Sequence, residues 1–345
     1  MISGLRARPW VGLDIGEFSV KLVALQTGVA RQLRVAEVPY EQNGGDAGRP
    51  APAVARALEA AFGAVRLSPR ACRGISIAIS GPDVILKQVT LPLLDDAEVG
   101  PALRFEARKH LPFDPQTMIV DYQILARFPS ERKLDVLLAA VARDHLEAHL
   151  APLRMLEIEP DIVDAAPLAL ANALDDATDG AGPQVIVDIG DRASHLVLVQ
   201  RGQPFFSRRL DFGGRDLTSA IARSARIPHE EAEEWKLAAG SDEPGFRVEW
   251  TLPELSDVPE VLRTRLVDEI LRSLAFYRTQ AVLPDVQRLW ISGGSARLPG
   301  LAQRLTELTG TPVVVFDPVG AQLNSGSPTG CPHLVQAYGL AMRAT

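Results

Sequence analysis

One short pattern occurs twice in this chain, far apart, and it limits what the chain can fold into. Val11-Gly12-Leu13-Asp14-Ile15-Gly16 lies near the start, and Val185-Ile186-Val187-Asp188-Ile189-Gly190 lies just past the middle. Each is an apolar run that delivers an Asp and, two residues later, a Gly. Each is followed by a second β-prone stretch, Ser19 to Leu25 in the first case and His195 to Val199 in the second. Strand, Asp, Gly turn and strand, repeated in two halves, predicts two similar lobes presenting matching acidic turns to one cleft. Strand-like runs alternating with helix-like runs place the whole chain in the α/β class.

With 345 residues the chain is long enough for two domains with substantial cores. The sharpest linker, Asp175-Asp176-Ala177-Thr178-Asp179-Gly180-Ala181-Gly182-Pro183, stands immediately before the second motif. It divides a first lobe (1–182) from a second (183–345). Within the first, core segments of about 1–86 and 155–182 flank an inserted α+β block of about 87–154. That block reads as a helix from Asp95 to Leu111 stopped by Pro112, strands over 119–127 and 134–141, and a helix over 143–156. Within the second, core segments of about 183–225 and 285–345 flank a charged helical insertion of about 226–284.

The paired turns carry a specific chemistry. Glycine lets the backbone come close to a ligand, and exposed N–H groups in such a turn can cradle phosphate oxygens. An Asp at each turn can hold magnesium, mostly through the waters that this ion retains. A lone Asp-x-Gly is ordinarily just a turn; two in matching contexts suit a magnesium nucleotide. A third element, Ile291-Ser292-Gly293-Gly294-Ser295, follows a predicted strand (288–291) and precedes a helix predicted to start near Pro299. Paired glycines there would let a flat base or sugar lie against the backbone. In Ala232-Glu233-Glu234-Trp235-Lys236, Glu233 and Lys236 share one helix face and could reach a ribose or base.

Other chemistries fit poorly. There is no Gly-Lys-Ser/Thr of a Walker A loop and no Gly-x-Ser-x-Gly elbow. His145 and His149 stand at i, i+4 without a protease glutamate or an evident third ligand. Net charge is −7 and no basic stripe is visible, which argues against nucleic acid. Cys72 and Cys331 have no metal spacing and read as reduced thiols of a cytoplasmic protein. The longest apolar stretch, Val136 to Ala142, is too short to span a bilayer, and the first ten residues lack a signal-peptide core.

The order of these elements resembles the actin-like ATPase superfamily. Asp14-Ile15-Gly16-Glu17-Phe18-Ser19-Val20-Lys21 is similar to its first phosphate motif and Asp188-Ile189-Gly190 to its second. Ile291 to Ser295 is similar to its adenosine motif, and Ala232 to Lys236 to its nucleoside-contacting helix. Within the superfamily the resemblance is to the PilM family of type IV pilus assembly. Glu106 to Phe113 with Asp121-Tyr122-Gln123, Ile158 to Asp164, and Gly202-Gln203-Pro204 through Gly213 to Thr218 carry it along nearly the whole chain.

That resemblance implies an actin-like fold of two ribonuclease-H-like lobes with inserted subdomains, closing over Mg-ATP. Asp14 and Asp188 would serve the metal. Gly16, Glu17, Phe18, Ser19, Lys21, Gly190, Asp191, Glu233, Lys236, Gly293, Gly294 and Ser295 would serve the nucleotide. Asp164 is the candidate for influencing an attacking water, with helix capping as the alternative. The resemblance further implies a first-lobe groove for the cytoplasmic N-terminal peptide of the membrane protein PilN, other pilus assembly components as partners, possible homo-oligomers, and indirect attachment to the inner membrane. Glu17 and Phe18 stand where the family usually has small polar residues, and Arg192 and Ala193 where hydroxyl residues are common. Rival readings are an ATPase or small-molecule kinase of the same superfamily, an FtsA-like division protein, or a type II secretion cytoplasmic domain. The FtsA reading would need a C-terminal amphipathic membrane helix, where Leu334 to Thr345 reads as a packed one. The secretion reading would need a following membrane span.

Overall fold

The computed structural model describes residues 8–28, 31–40, 50–110, 117–177, 182–200, 202–240, 257–280, 286–323 and 330–344. Most of the Gly- and Pro-bearing stretch 43–52, Leu111 to Phe113, positions 178–181 of the linker, and 241–256 and 281–284 of the helical insertion lie outside them.

The first lobe is built on β1 (Trp10–Ile15), β2 (Ser19–Gln26), β3 (Gln32–Pro39), β4 (Gly74–Ile79) and, after β5 (Ile85–Pro92), β6 (Met118–Phe128) and β7 (Lys133–Ala142), on β8 (Ile162–Ala165). The second uses β9 (Gln184–Ile189), β10 (Ser194–Gln200), β11 (Gln203–Leu210), β12 (Leu289–Ser292) and β13 (Val313–Val315). The sheet orders are β3-β2-β1-β4-β8 and β11-β10-β9-β12-β13. In both, the first three strands are antiparallel and the rest parallel. The duplicated motif thus reflects a duplicated sheet. Strands β1 and β9 sit centrally and are covered on both faces, so they read as unbroken apolar runs rather than alternating ones.

Eleven α-helices complete the described residues: α1 (Ala51–Ala64), α2 (Asp96–His110), α3 (Arg143–Met155), α4 (Ala166–Ala177), α5 (Gly214–Ala225), α6 (His229–Ala239), α7 (Asp257–Val261), α8 (Asp268–Gln280), α9 (Leu301–Thr309), α10 (Pro318–Leu323) and α11 (Val335–Ala341). A π-helical stretch, Leu262–Val267, joins α7 to α8. The chain between β4 and β8 forms a separate sheet, β5-β7-β6, whose apolar face (Val89, Leu91, Leu134, Val136, Leu138) packs on Val99 and Leu103 of α2. After Ser292 the chain does not enter a helix near Pro299. It makes a 3₁₀ turn over Gly294–Arg297, and α9 starts at Leu301. The left-handed backbone of Gly300 (φ 78°) breaks the path and resets the helix start.

Between the two sheets lie α4 and α11. Leu170, Leu174, Val335 and Tyr338 form one buried cluster with Val23 and Leu25 of β2 and with Ile186 and Val197 of the second sheet. All seven residues of α11 are buried. Glycine permits this close approach: a Cβ on Gly339 would lie 1.8 Å from the Ala169 carbonyl oxygen, and one on Gly12 would lie 2.0 Å from that of Ala337. Arg31 reaches Asp176 through two 2.7 Å hydrogen bonds, and the Tyr338 hydroxyl donates to the same carboxylate. This tied pair of helices positions the two acidic hairpins against each other.

Candidate functional site

The β1–β2 and β9–β10 hairpins close in the same way. The Gly16 N–H donates to the Ser19 carbonyl, and the Gly190 N–H to that of Ala193, each at 3.1 Å. A Cβ on Gly190 would sit 2.7 Å from the Ala193 oxygen, so the second turn tolerates no side chain there. In register, Asp14 faces Lys21 and Asp188 faces His195. Residues of both hairpins, together with Gly293 to Ser295 and the start of α11's segment, line one cleft of about 260 Å³.

Asp14 is buried, ion-paired with Lys21 at 3.1 Å, and accepts a 2.8 Å hydrogen bond from the Gln336 amide. Asp188 accepts from the Ser292 hydroxyl at 2.8 Å. Burial pushes the Asp188 carboxyl up to about 6; the Ser292 hydrogen bond opposes the rise and the nearby Asp14 charge adds to it. Burial opposes the Lys21 charge, yet Asp14, Glu37 and Asp188 outweigh it and raise its pKa. Opposite Lys21 on β3, Glu37 accepts from the Ser19 hydroxyl at 2.7 Å and lies 3.3 Å from His333. Three carboxylates therefore surround one ammonium, a charge balance that a divalent cation would complete. Among the described residues no three His, Cys, Asp or Glu side chains converge as a ligand set. A cation here would rest largely on its waters and on ligand oxygens.

Gly293 adopts φ 87°, and a Cβ there would fall 2.4 Å from the Ile189 carbonyl, so the adenosine-type motif is pressed directly onto β9. Gly294 is open, with nothing within 4 Å of where its Cβ would be. At the start of α5 the Gly213 N–H donates to the Asp216 carboxylate at 2.9 Å, half of a capping box. The Gly214 N–H bonds the Gly190 carbonyl at 2.8 Å, docking α5 on the second turn. Lys236 donates to the Gly214 carbonyl (3.1 Å), the Thr218 hydroxyl (2.8 Å) and Glu233 (2.8 Å). All three ammonium hydrogens are thus engaged within the protein. Glu233 and Lys236 line the cleft, as the sequence suggested, but their polar ends tie α6 to α5.

Glu17, Phe18, Ser19 and Asp191 also line the cleft. The loops carrying Glu17 and Arg192 approach each other, with the guanidinium 3.9 Å from the carboxylate, and Asp191 is held by Arg215 at 2.9 Å. Asp164 does not join them. It lies in β8, accepts from the Ala165 N–H at 2.9 Å, and is 3.1 Å from Arg343. Burial raises its pKa, and Arg343 opposes the rise. His145 lies 3.7 Å from Asp83, outside any metal set among the described residues.

Sequence reasoning missed Glu37, His195, His333 and Gln336. One had a signal: His195 follows Asp188 at the spacing at which Lys21 follows Asp14. Glu37 reaches Lys21 only through the β2–β3 pairing. His333 and Gln336 arrive from the far end of the chain and had none.

Burial drives His195 and His333 down to about 4. An unfolded imidazole titrates near 6.5, so between pH 6.5 and 4 the unfolded chain binds protons that the folded chain refuses. Stability therefore falls on acidification through that window, by up to about 3 kcal/mol per histidine. Asp188, raised to about 6, works in the opposite direction. His333→Gln is expected to lose less stability than the parent between pH 7 and pH 5 in urea unfolding. Parallel losses in the two proteins would show that His333 carries no such linkage.

Comparisons with known proteins bear on the fold and the family. Ethanolamine utilization protein EutJ of Escherichia coli K12 is 26% identical over 182 residues, covering 50% of this chain and 58% of EutJ. The fold superimposes on that of EutJ from Carboxydothermus hydrogenoformans (TM-score 0.55, 17% identity, 99% of this chain and 92% of that one). MreB5 of Spiroplasma citri bound to AMPPNP matches with a TM-score of 0.50 at 13% identity, over 96% of this chain and 94% of that one. A chain of a PilM-PilN type IV pilus biogenesis complex matches with a TM-score of 0.79 at 26% identity, covering 98% of both chains. The family model described as type IV pilus assembly protein PilM matches residues 12–345. With an actin-like fold and a family match from the first acidic strand onward, this chain belongs to the PilM family of type IV pilus assembly proteins.

Proposed function

We propose that this protein is a cytoplasmic component of the type IV pilus inner-membrane assembly complex that binds Mg-ATP between its lobes and a PilN-like peptide on its first lobe. The observation that supports the nucleotide half is the pair of acid-bearing hairpins facing one cleft, with Asp14, Asp188 and Glu37 around Lys21. Asp14 and Asp188 would hold magnesium through its waters; the Gly16 and Gly190 turns and Lys21 would receive phosphates. The open backbone at Gly294 is shaped for the nucleoside. Magnesium supplies charge neutralisation at the phosphates when bound. Closure of the lobes then shifts with nucleotide only to the extent that nucleotide prefers the closed state.

Among the described residues no helix is long and apolar enough to cross a membrane. A membrane-bound partner of the PilN type would supply the attachment. The β5-β7-β6 sheet with α2 forms one wall of the groove in this reading, and the body of the first lobe the other. Apolar pockets and backbone partners are what a short docked peptide needs. A fluorescent peptide carrying the N-terminal cytoplasmic segment of the PilN-like protein should bind the full chain saturably in anisotropy titrations. Binding no stronger than that of a scrambled peptide would remove the partner half of the proposal and leave the cleft untouched.

A further inference from the structure

The two hairpin turns of the cleft carry opposite charges. Glu17 follows Gly16 in the first, and Arg192 comes two residues after Gly190 in the second. The backbone of each turn is braced from behind. Tyr40 donates its N–H to the Phe18 carbonyl at 3.1 Å and its hydroxyl to that of Gly16 at 3.2 Å. The N–H groups of Gly214 and Arg215 bond the Gly190 and Asp191 carbonyls at 2.8 and 2.9 Å. Rearrangement at either turn therefore falls to the side chains.

Among the described residues, six carboxylates line the cleft. Five lie within hydrogen-bond distance of a partner in their own lobe: Asp14 with Lys21, Glu37 with Ser19, Asp188 with Ser292, Asp191 with Arg215 and Glu233 with Lys236. Glu17, the sixth, lies 3.9 Å from the guanidinium of Arg192 in the other lobe, and the two side chains are 49% and 38% exposed. That separation is too long for a hydrogen bond, and a pair so open to solvent is held weakly. Lys236 and Arg209 also line the cleft, but the first donates all three hydrogens within its lobe and the second pairs with Asp211. Two turns that present their backbones to one cleft are thus bridged by a carboxylate and a guanidinium of the protein's own.

Resting on the nucleotide reading above, we propose that Arg192 is a phosphate ligand and that Glu17 is its resting partner, a carboxylate that the incoming phosphate displaces. A guanidinium can take a phosphate through two parallel hydrogen bonds, which a carboxylate held at 3.9 Å does not match. The exchange therefore favours a ligand carrying several phosphate charges over a weaker anion. Glu17 sets how much charge the ligand has to bring, and the link between the lobes passes from the pair to the nucleotide.

Calorimetric titration of Mg-ATP into the full chain should show Glu17→Gln binding about tenfold more tightly than the parent and Arg192→Gln about tenfold more weakly. Unfolding midpoints should stay unchanged, since neither side chain is buried. The opposite signs carry the test, because damage to the cleft would weaken both variants. Binding by Glu17→Gln with none in the parent would also support the proposal, the carboxylate then winning the exchange. Equal affinity in the parent and Arg192→Gln, or unchanged or weaker binding by Glu17→Gln, would overturn it and leave the nucleotide reading standing on the parent's own binding. No saturable heat in the parent or in either variant would remove the nucleotide reading, and this inference with it.

Discussion

Gly339→Ala is expected to destabilise the protein by about 3 kcal/mol and lower its unfolding midpoint by roughly 6–12 °C. The added methyl would meet the Ala169 carbonyl oxygen at 1.8 Å and its carbon at 2.7 Å. Both are backbone atoms of α4, so no rotamer change relieves the clash. The two helices must part, and with them the cluster that joins the sheets. Alanine ordinarily favours a helix over glycine by about 1 kcal/mol, so the overpacking has to exceed that gain. Gly63 supplies the internal control. It lies in α1 with nothing within 4 Å of where a Cβ would be, so Gly63→Ala should raise stability by about that 1 kcal/mol. Differential scanning calorimetry of the two variants should show shifts of opposite sign. If Gly339→Ala instead melts with the parent, α4 and α11 separate without cost and do not hold the lobes together.

The second large effect concerns the cleft. Asp188→Asn is expected to weaken Mg-ATP binding by about 10–100-fold while leaving the fold intact. The asparagine keeps an oxygen for the Ser292 hydroxyl and abandons no buried cation, because Lys21 pairs with Asp14 rather than with Asp188. Asp14→Ala is a poorer test, since it also strips Lys21 of its ion pair and Gln336 of its acceptor. The metal gives the discriminating readout. In calorimetry without magnesium, Asp188→Asn should bind ATP no worse than the parent, because the change removes a negative charge beside the phosphates. Equal loss with and without magnesium would mean that Asp188 shapes the cleft rather than serving a cation. Unchanged Mg-ATP affinity would remove Asp188 from the site.

How much of this was legible in the chain follows from how far each contact reaches. The two hairpins were legible because Asp14, Gly16 and Lys21 lie within one turn of each other, as do Asp188, Gly190 and His195. Local sequence encodes such features without knowledge of the fold. The insertion was legible in part, since the strands at 119–127 and 134–141 announce themselves by composition. Glu37 required knowing that β3 pairs with β2, and Gln336 required knowing that α11 begins against Asp14. Lys236 shows the reverse case. Its place on a helix face was correct, but whether its ammonium faces a ligand or its own protein depends on where α5 docks. Asp164 was placed by family pattern; the contact that defines it comes from Arg343, which sequence spacing cannot reveal.

The placement of α11 also sets an order in time. Residues 335–341 leave the ribosome after every element they pack against, and until then the β1 surface at Gly12 and the α4 surface at Ala169 stay uncovered. The first lobe's sheet can form early, but its inner face must wait for a segment more than 300 residues downstream of Asp14, the separation spanned by the Gln336–Asp14 hydrogen bond. A newly made chain therefore spends most of its synthesis with the future contact between the lobes exposed, the interval in which apolar surface is most open to chaperones and to wrong partners. The helix that joins the finished lobes is, during synthesis, the reason they cannot finish separately.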